Sequence, residues 1–268
     1  MRRYAVETIG TFFLVLVITT TALLHVGPAP VAIAAVLTVM IFAGGHVSGA
    51  HYNPAVTVAL AVRNRFAWRD VPAYCAAQTV GALAGAVVGR HLLAGQPAEQ
   101  AFTAGGRALT AAAVAELLVT FALAYVVLNV ATSKNTAGNS FYGLAIGGTV
   151  LAGALTVGGV SGGVFNPAVA VGVATAGLID WTLVPVYLAC QIAAGALAGL
   201  AFRALNRDDV AEPALETAPE APAVTAQLAQ VLSGVEALTT AFHGLPGQPG
   251  AATAQQTAPA VAWSHSAH

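Results

Sequence analysis

Charge is what this chain has least of: Lys and Arg number 10, Asp and Glu 11, and together they make 8% of its 268 residues. Soluble domains carry charge on roughly a quarter of their residues, so this chain could not cover a water-facing surface. The net charge of −1 and the lack of any basic stripe remove nucleic acid as a partner. Cysteine is as scarce. Cys75 and Cys190 are the two present, both inside apolar segments, which excludes a disulfide framework and leaves one bridge open at most. The apolar part also lacks a nucleophile paired with a base, a phosphate loop and a metal-ligand cluster, so neither an enzyme nor a cofactor is expected.

What the chain does have is apolar length. Hydrophobic residues make up 57% of it, and the mean hydropathy is +0.75. Runs long enough for a bilayer span of about 20 residues occur at Val6–Val26, at Val31–Gly45 and beyond, and at Val71–Leu93, Ala111–Ala131, Phe141–Val157 and Leu183–Leu205. Six spans make an integral membrane protein with both ends on one side. Arg2, Arg3, Arg63, Arg65, Arg69, Lys134, Arg203 and Arg207 then share a face, against Arg90 and Arg107 opposite, so the positive-inside rule puts both termini in the cytoplasm, with the cell membrane as the expected location. The first run is not read as a cleaved signal. It carries Glu7, and its counterpart lies mid-chain.

That counterpart belongs to a duplication. Asn53-Pro54-Ala55-Val56 recurs as Asn166-Pro167-Ala168-Val169, a shift of 166 − 53 = 113 that also carries Ser48-Gly49 onto Ser161-Gly162, Tyr74 onto Tyr187 and Gln78 onto Gln191. Glu7-x-x-x-Thr11-Phe12 recurs as Glu116-x-x-x-Thr120-Phe121, shifted by 109. With three spans per copy, the second copy enters from the opposite face, giving an inverted repeat.

Asn is a strong N-cap, and Pro suits the first helical turn, where its missing N–H breaks no bond. Asn-Pro-Ala therefore starts a helix, yet Ala55–Val62 and Ala168–Gly177 are too short to span. They read as half-helices after re-entrant loops, tolerated at membrane depth only where they line a cavity or are buried in protein. Inverted, their N-termini meet near the bilayer centre, each with about half a positive charge from its dipole. Cations and protons are repelled there. The Asn53 and Asn166 amides are expected to cap their own helices and turn N–H donors into the lumen, with the carbonyls of Gly49–Tyr52 and Gly162–Phe165 as acceptors.

Over about Ala5–Leu205 the chain resembles the aquaporin and aquaglyceroporin family of major intrinsic proteins; Ser48-Gly49-Ala50-His51-Tyr52-Asn53-Pro54-Ala55-Val56-Thr57 looks like that family's first pore-loop signature. The resemblance implies an all-α membrane fold of six spans and two half-helices. It also implies a homotetramer in lipid, and a passive channel for water or small uncharged solutes that excludes protons and ions. Glu7 and Glu116 become braces of the pore loops rather than a proton relay. The loops bring Gly49, Ala50, His51, Tyr52, Gly162, Val164 and Phe165 to the pore lining. His46 matches a position lining the cytoplasmic vestibule. A His46–His51 metal site is disfavoured, because Gly159 and Val164 replace the pair in the second copy and no acidic residue or cysteine accompanies it.

One departure stands out. Most family members have Arg after the second Asn-Pro-Ala, and here it is Val169; the other constriction positions look like Ile33, Ala154 and Gly163. None is aromatic, charged or large, which points to ammonia, urea, small polyols or neutral metalloid acids beside water. A secondary transporter shares inverted repeats, but lacks here its membrane-embedded coupling charges. An adhesive or scaffolding protein with an occluded pore is the remaining alternative.

The channel domain is expected over 1–207, as repeat one at about 1–95 and repeat two at about 108–207. A flexible tail rich in Ala, Pro and Thr follows over 208–268. Leu228, Val231, Leu232, Val235, Leu238 and Phe242 at helical spacing predict one amphipathic helix at 226–243.

Overall fold

The computed structural model describes residues 1–93, 101–209 and Ser233. The helix expected over 226–243 lies, Ser233 apart, outside the described residues. Among the described residues, eight named α-helices follow in order: α1 Arg2–Leu23, α2 Ala29–Ser48, α3 Pro54–Val62, α4 Val71–Leu92, α5 Gly106–Thr132, α6 Tyr142–Ser161, α7 Pro167–Thr175 and α8 Val184–Leu205. Among the described residues, six of these are long and apolar enough to cross a membrane, and α3 and α7 are not. At 1.5 Å per residue, nine-residue helices reach about 14 Å, half the hydrocarbon thickness. The long helices overrun the apolar segments: α1 begins at Arg2 rather than Val6 and α5 at Gly106 rather than Ala111. Hydropathy marks the lipid core, whereas backbone hydrogen bonding continues past it.

The duplication is visible in the packing. α1 lies on α2 and α4, and α5 in the same way on α6 and α8. Each half-helix packs on a long helix of the other copy, α3 on α8 and α7 on α4. Glycine makes these approaches possible. A Cβ on Gly195 would collide with the Ala55 carbonyl of α3, and one on Gly81 with the Thr8 carbonyl of α1.

Two ends of the bundle are defined by different contacts. At one, Arg63 at the foot of α3 reaches Asp209 (3.2 Å) and the Thr132 carbonyl (2.9 Å), and Arg203 reaches the Val62 carbonyl (3.3 Å). At the other, Phe102, ahead of α5, pairs with Ile179, just past α7. The two half-helices therefore run to opposite ends, as an inverted repeat requires.

Candidate functional site

α2 and α6 stop in the same way, on Gly49 (φ 83°) and Gly162 (φ 81°), left-handed positions that glycine adopts without strain. The loops that follow hold further left-handed residues, Ala50 and Tyr52 in one and Gly163 and Phe165 in the other. Such backbone persists only where its surroundings over-determine it. Here a buried carboxylate does so. Glu7 Oε1 accepts from the Ser48 hydroxyl (2.7 Å) and His51 N–H (3.0 Å), while Oε2 accepts from Tyr52 N–H (2.7 Å) and Gln78 Nε2 (2.8 Å). Glu116 repeats the pattern with Ser161 (2.7 Å), Val164 (3.0 Å), Phe165 (2.7 Å) and Gln191 (2.7 Å). The serine hydroxyls in turn accept from Ala50 and Gly163 N–H. Three consecutive amides of each loop are thus turned into protein, and both carboxylates are 0% exposed.

Tyr74 and Tyr187 donate to the Ser48 and Ser161 carbonyls (2.8 and 2.6 Å) and complete the two braces. The sequence marked these tyrosines and Gln78 and Gln191 as duplicated. Their role required knowing what they face.

The copies differ around Thr57. Thr57 Oγ1 lies 3.1 Å from Asn53 O, 3.0 Å from Gln78 Nε2 and 3.1 Å from His51 Nδ1. A hydroxyl has one hydrogen and two lone pairs, so all three contacts are satisfied when it donates to Asn53 O and accepts from Gln78 and from a protonated Nδ1. His51 is then held as its Nδ1–H tautomer, its ring packed on Phe66 and Tyr74. In the second copy Val164 and Ala170 stand in these places.

Asn53 and Asn166 meet where the half-helices begin. Asn53 Oδ1 caps Ala55 N–H (2.9 Å), and Asn166 Oδ1 caps Ala168 N–H (2.9 Å) and Val169 N–H (3.3 Å). Their donors depart from expectation. Asn53 Nδ2 gives a hydrogen to Phe165 O (3.0 Å) and Asn166 Nδ2 one to Tyr52 O (2.8 Å), so each amide spends one N–H on the opposite loop and keeps only the second for the lumen. The carbonyls come close enough for this because the loops meet at the same depth.

Both asparagines border a cavity of about 390 Å³ that also touches Ala50, His51, Tyr52, Gly162, Val164 and Phe165. Ile33, Ala154, Gly163 and Val169 line it too. Pro54, Ala55, Pro167 and Ala168 lie buried behind the asparagines as the first turns of α3 and α7. Two residues expected along the pore do not border this cavity. Ile33, Leu37 and Ile41 set the inner face of α2, and His46, five residues past Ile41, is turned about 140° from it. It borders a separate depression with Met1, Arg2, Arg3 and Val47. Gly49 is occupied by the helix cap.

Among the described residues that line the cavity there is no Asp, Glu, Lys or Arg. Its wall is chiefly aliphatic, from Leu14 and Ile18 of α1, the α2 face, and Ile146 and Val150 of α6. Phe102, Leu178 and Ile179 also line it and were not anticipated; Phe102 lies ahead of α5, and Leu178 and Ile179 stand where the first copy has Arg65 and Phe66. Cys75 and Cys190 are free thiols.

Comparison with known proteins agrees with this geometry. The sequence model of the family described as Major intrinsic protein matches residues 1–157 and 141–243. Aquaporin NIP1-4 of Oryza sativa subsp. japonica is 43% identical over 169 residues, covering 63% of this chain and 61% of that protein. Nodulin-26 of Glycine max is 39% identical over 137 residues, 51% of this chain and 50% of its own length. The chain thus spans about half to three-fifths of these curated relatives. The X-ray structure of the aquaglyceroporin from Plasmodium falciparum superposes with a TM-score of 0.66 at 25% identity, covering 75% of this chain and 94% of that one.

Proposed function

Because this chain belongs to the major intrinsic protein family, we propose that it is a passive membrane channel for water and small uncharged solutes, with Asn53 and Asn166 as the central polar contacts of its pore. The observation that carries this reading is the pair of crossed amide–carbonyl bonds, which join two half-helix N-termini on the wall of an apolar cavity.

An ion entering that cavity loses its hydration shell against aliphatic walls. Moving it from water into a medium of low dielectric costs on the order of 20 kcal/mol in the idealised limit, and among the described residues no lining carboxylate offsets that for a cation. At the centre two helix N-termini add repulsion of any positive charge. A neutral solute meets no such barrier. It exchanges water hydrogen bonds for the remaining Asn N–H groups and for loop carbonyls, since the loop amides are consumed by Glu7 and Glu116.

Solute choice follows from Ile33, Ala154, Gly163 and Val169. A ring of these residues is apolar and short-armed, so it supplies neither the bulk nor the fixed donors of a guanidinium. Urea, ammonia, small polyols and undissociated metalloid acids therefore stand beside water as permeants. The end with Arg63, Arg65, Lys134 and Arg203 faces the cytoplasm of the cell membrane by its positive charge. The exposed apolar side chains of α1, α2, α5 and α6 face lipid or the other subunits of a homotetramer. Residues 1–207 form the channel, with Asp209 packed against its charged end through Arg63 and Arg65, and the rest of 208–268 is its cytoplasmic tail.

Stopped-flow permeability of the purified protein in proteoliposomes tests the reading, with water, glycerol, urea, ammonia and arsenous acid as the panel. Rates above protein-free vesicles for water and at least one larger solute are expected. Rates equal to protein-free vesicles throughout would contradict it.

A further inference from the structure

We propose that Phe102 is the aromatic specificity residue of this pore, set at the mouth next to the filter and supplying from a connecting loop the bulk that the four filter positions lack. The inference rests on the channel reading above and concerns the same passage.

Phe102 precedes α5, in a segment with no counterpart in the duplication. Its backbone is fixed by two bonds: its N–H donates to Leu178 O and its carbonyl accepts from Asp180 N–H, both at 2.9 Å, which closes the bridge with Ile179. The loop is thereby tied to the residues leaving α7, on the side of the cavity away from Arg63 and Asp209. The side chain has no part in these bonds.

The ring lies over the second pore loop. A Cβ built on Gly162 would stand 3.9 Å from Phe102 Cδ1 and 3.7 Å from Ile179 Cγ2, and Gly162 is the neighbour of the filter residue Gly163. Phe102 borders the cavity together with Gly162 and Ile179, as do all four filter positions. Other rings on this wall are committed elsewhere. Tyr52 is packed against Gly10 and Gly44 with its hydroxyl on Met40 O, Phe165 lies against Gly153, and His51 packs edge-on against Phe66 and tilted against Tyr74. Phe102 is the half-buried exception, with ring surface left to meet a solute.

A ring held at the mouth by main-chain pairing does two things. It narrows the approach to a wide filter, and its flat apolar face admits solutes by cross-section without a donor or charge to bind them. Side-chain size at position 102 can be changed while the bridge that positions it is kept.

Full-length wild type, Phe102→Ala and Phe102→Trp are reconstituted at matched incorporation, and glycerol and urea permeabilities are read as ratios to water permeability. The ratio is expected to rise severalfold in Phe102→Ala and to fall in Phe102→Trp. Phe102→Leu gives an intermediate point if the alanine variant does not reconstitute. A flat series in a conducting protein would overturn the role of Phe102 and leave the channel reading standing. Wild-type vesicles no faster than protein-free ones would overturn both.

Discussion

The side-chain amide of Asn53 donates to the carbonyl oxygen of Phe165 at 3.0 Å, so the cap of one half-helix holds the loop that precedes the other. With the reciprocal bond from Asn166 to Tyr52, the centre of the molecule is a closed exchange of two donors and two acceptors. Each loop is fixed twice, by its own carboxylate brace and by the asparagine of the opposite copy.

Replacing Glu7 or Glu116 with Gln should destabilise the fold more than it alters which solutes pass. A Gln amide keeps one acceptor oxygen and turns an N–H₂ toward loop donors, so buried amides are left unpaired at about 1–3 kcal/mol each. Thermal unfolding in detergent, read beside solute-to-water ratios of the surviving protein, checks this. Unchanged stability with lost proton-coupled flux would make these groups a relay instead.

The His51–Thr57–Gln78 cluster exists in one copy only, and its removal should be felt there. Thr57→Ala strips a partner from His51 Nδ1 and from Gln78 Nε2, and should cost about 1–3 kcal/mol. Ala170→Thr, at the equivalent place in the second copy, finds Gln191 but Val164 rather than a histidine, and should gain less than Thr57→Ala loses. Equal effects of the two changes on the unfolding midpoint would contradict the assignment.

Val169→Arg should lower permeability to urea-sized and metalloid solutes more than to water. The guanidinium would fill part of the cavity beside Ala154 and Gly163, where its charge also opposes cations. Solute-to-water ratios at matched incorporation decide it; an equal or higher ratio in the variant shows that position 169 does not set selectivity.

At the charged end, Asp209 ties the foot of α3 to the turn after α5. Burial pushes its carboxyl up, but the Ser133 hydroxyl, the Lys134 N–H and the Arg63 and Arg65 guanidiniums outweigh that and hold it below the usual carboxylate range. A folded value below the unfolded one gives stability that is complete above about pH 4 and is lost as pH falls through the folded value. Asp209→Asn leaves Arg63, 1% exposed, without its counter-charge and should cost about 3 kcal/mol at pH 7. The gap in unfolding midpoint between wild type and variant should close on acidification. A gap constant with pH would show that the pair adds nothing electrostatic.

How far the sequence could be read depended on what was repeated. The 113-residue shift exposed the half-helices and the asparagine caps, and the 109-residue shift the paired carboxylates, because a polar residue is costly in an apolar segment and recurs at one place in two of them only where both copies give it partners. Neither shift could reveal that the asparagine amides bond across the copies, since that needs the depth of both loops. His46 does not border the central cavity because a helix face is set by phase: Ile33, Leu37 and Ile41 define it, and position 46 lies off that face. Phe102 left no trace, being brought to the mouth by a backbone bridge that no periodicity records.

The central claim is tested most directly by one flux experiment. Proteoliposomes carrying the full chain and an internal pH dye are mixed with increasing urea or glycerol gradients, and solute entry is followed together with internal pH. A pore closed to charge by crossed asparagines and apolar walls predicts entry that rises linearly with the gradient while internal pH stays at the protein-free baseline. Entry that saturates, or that moves protons with the solute, would contradict it.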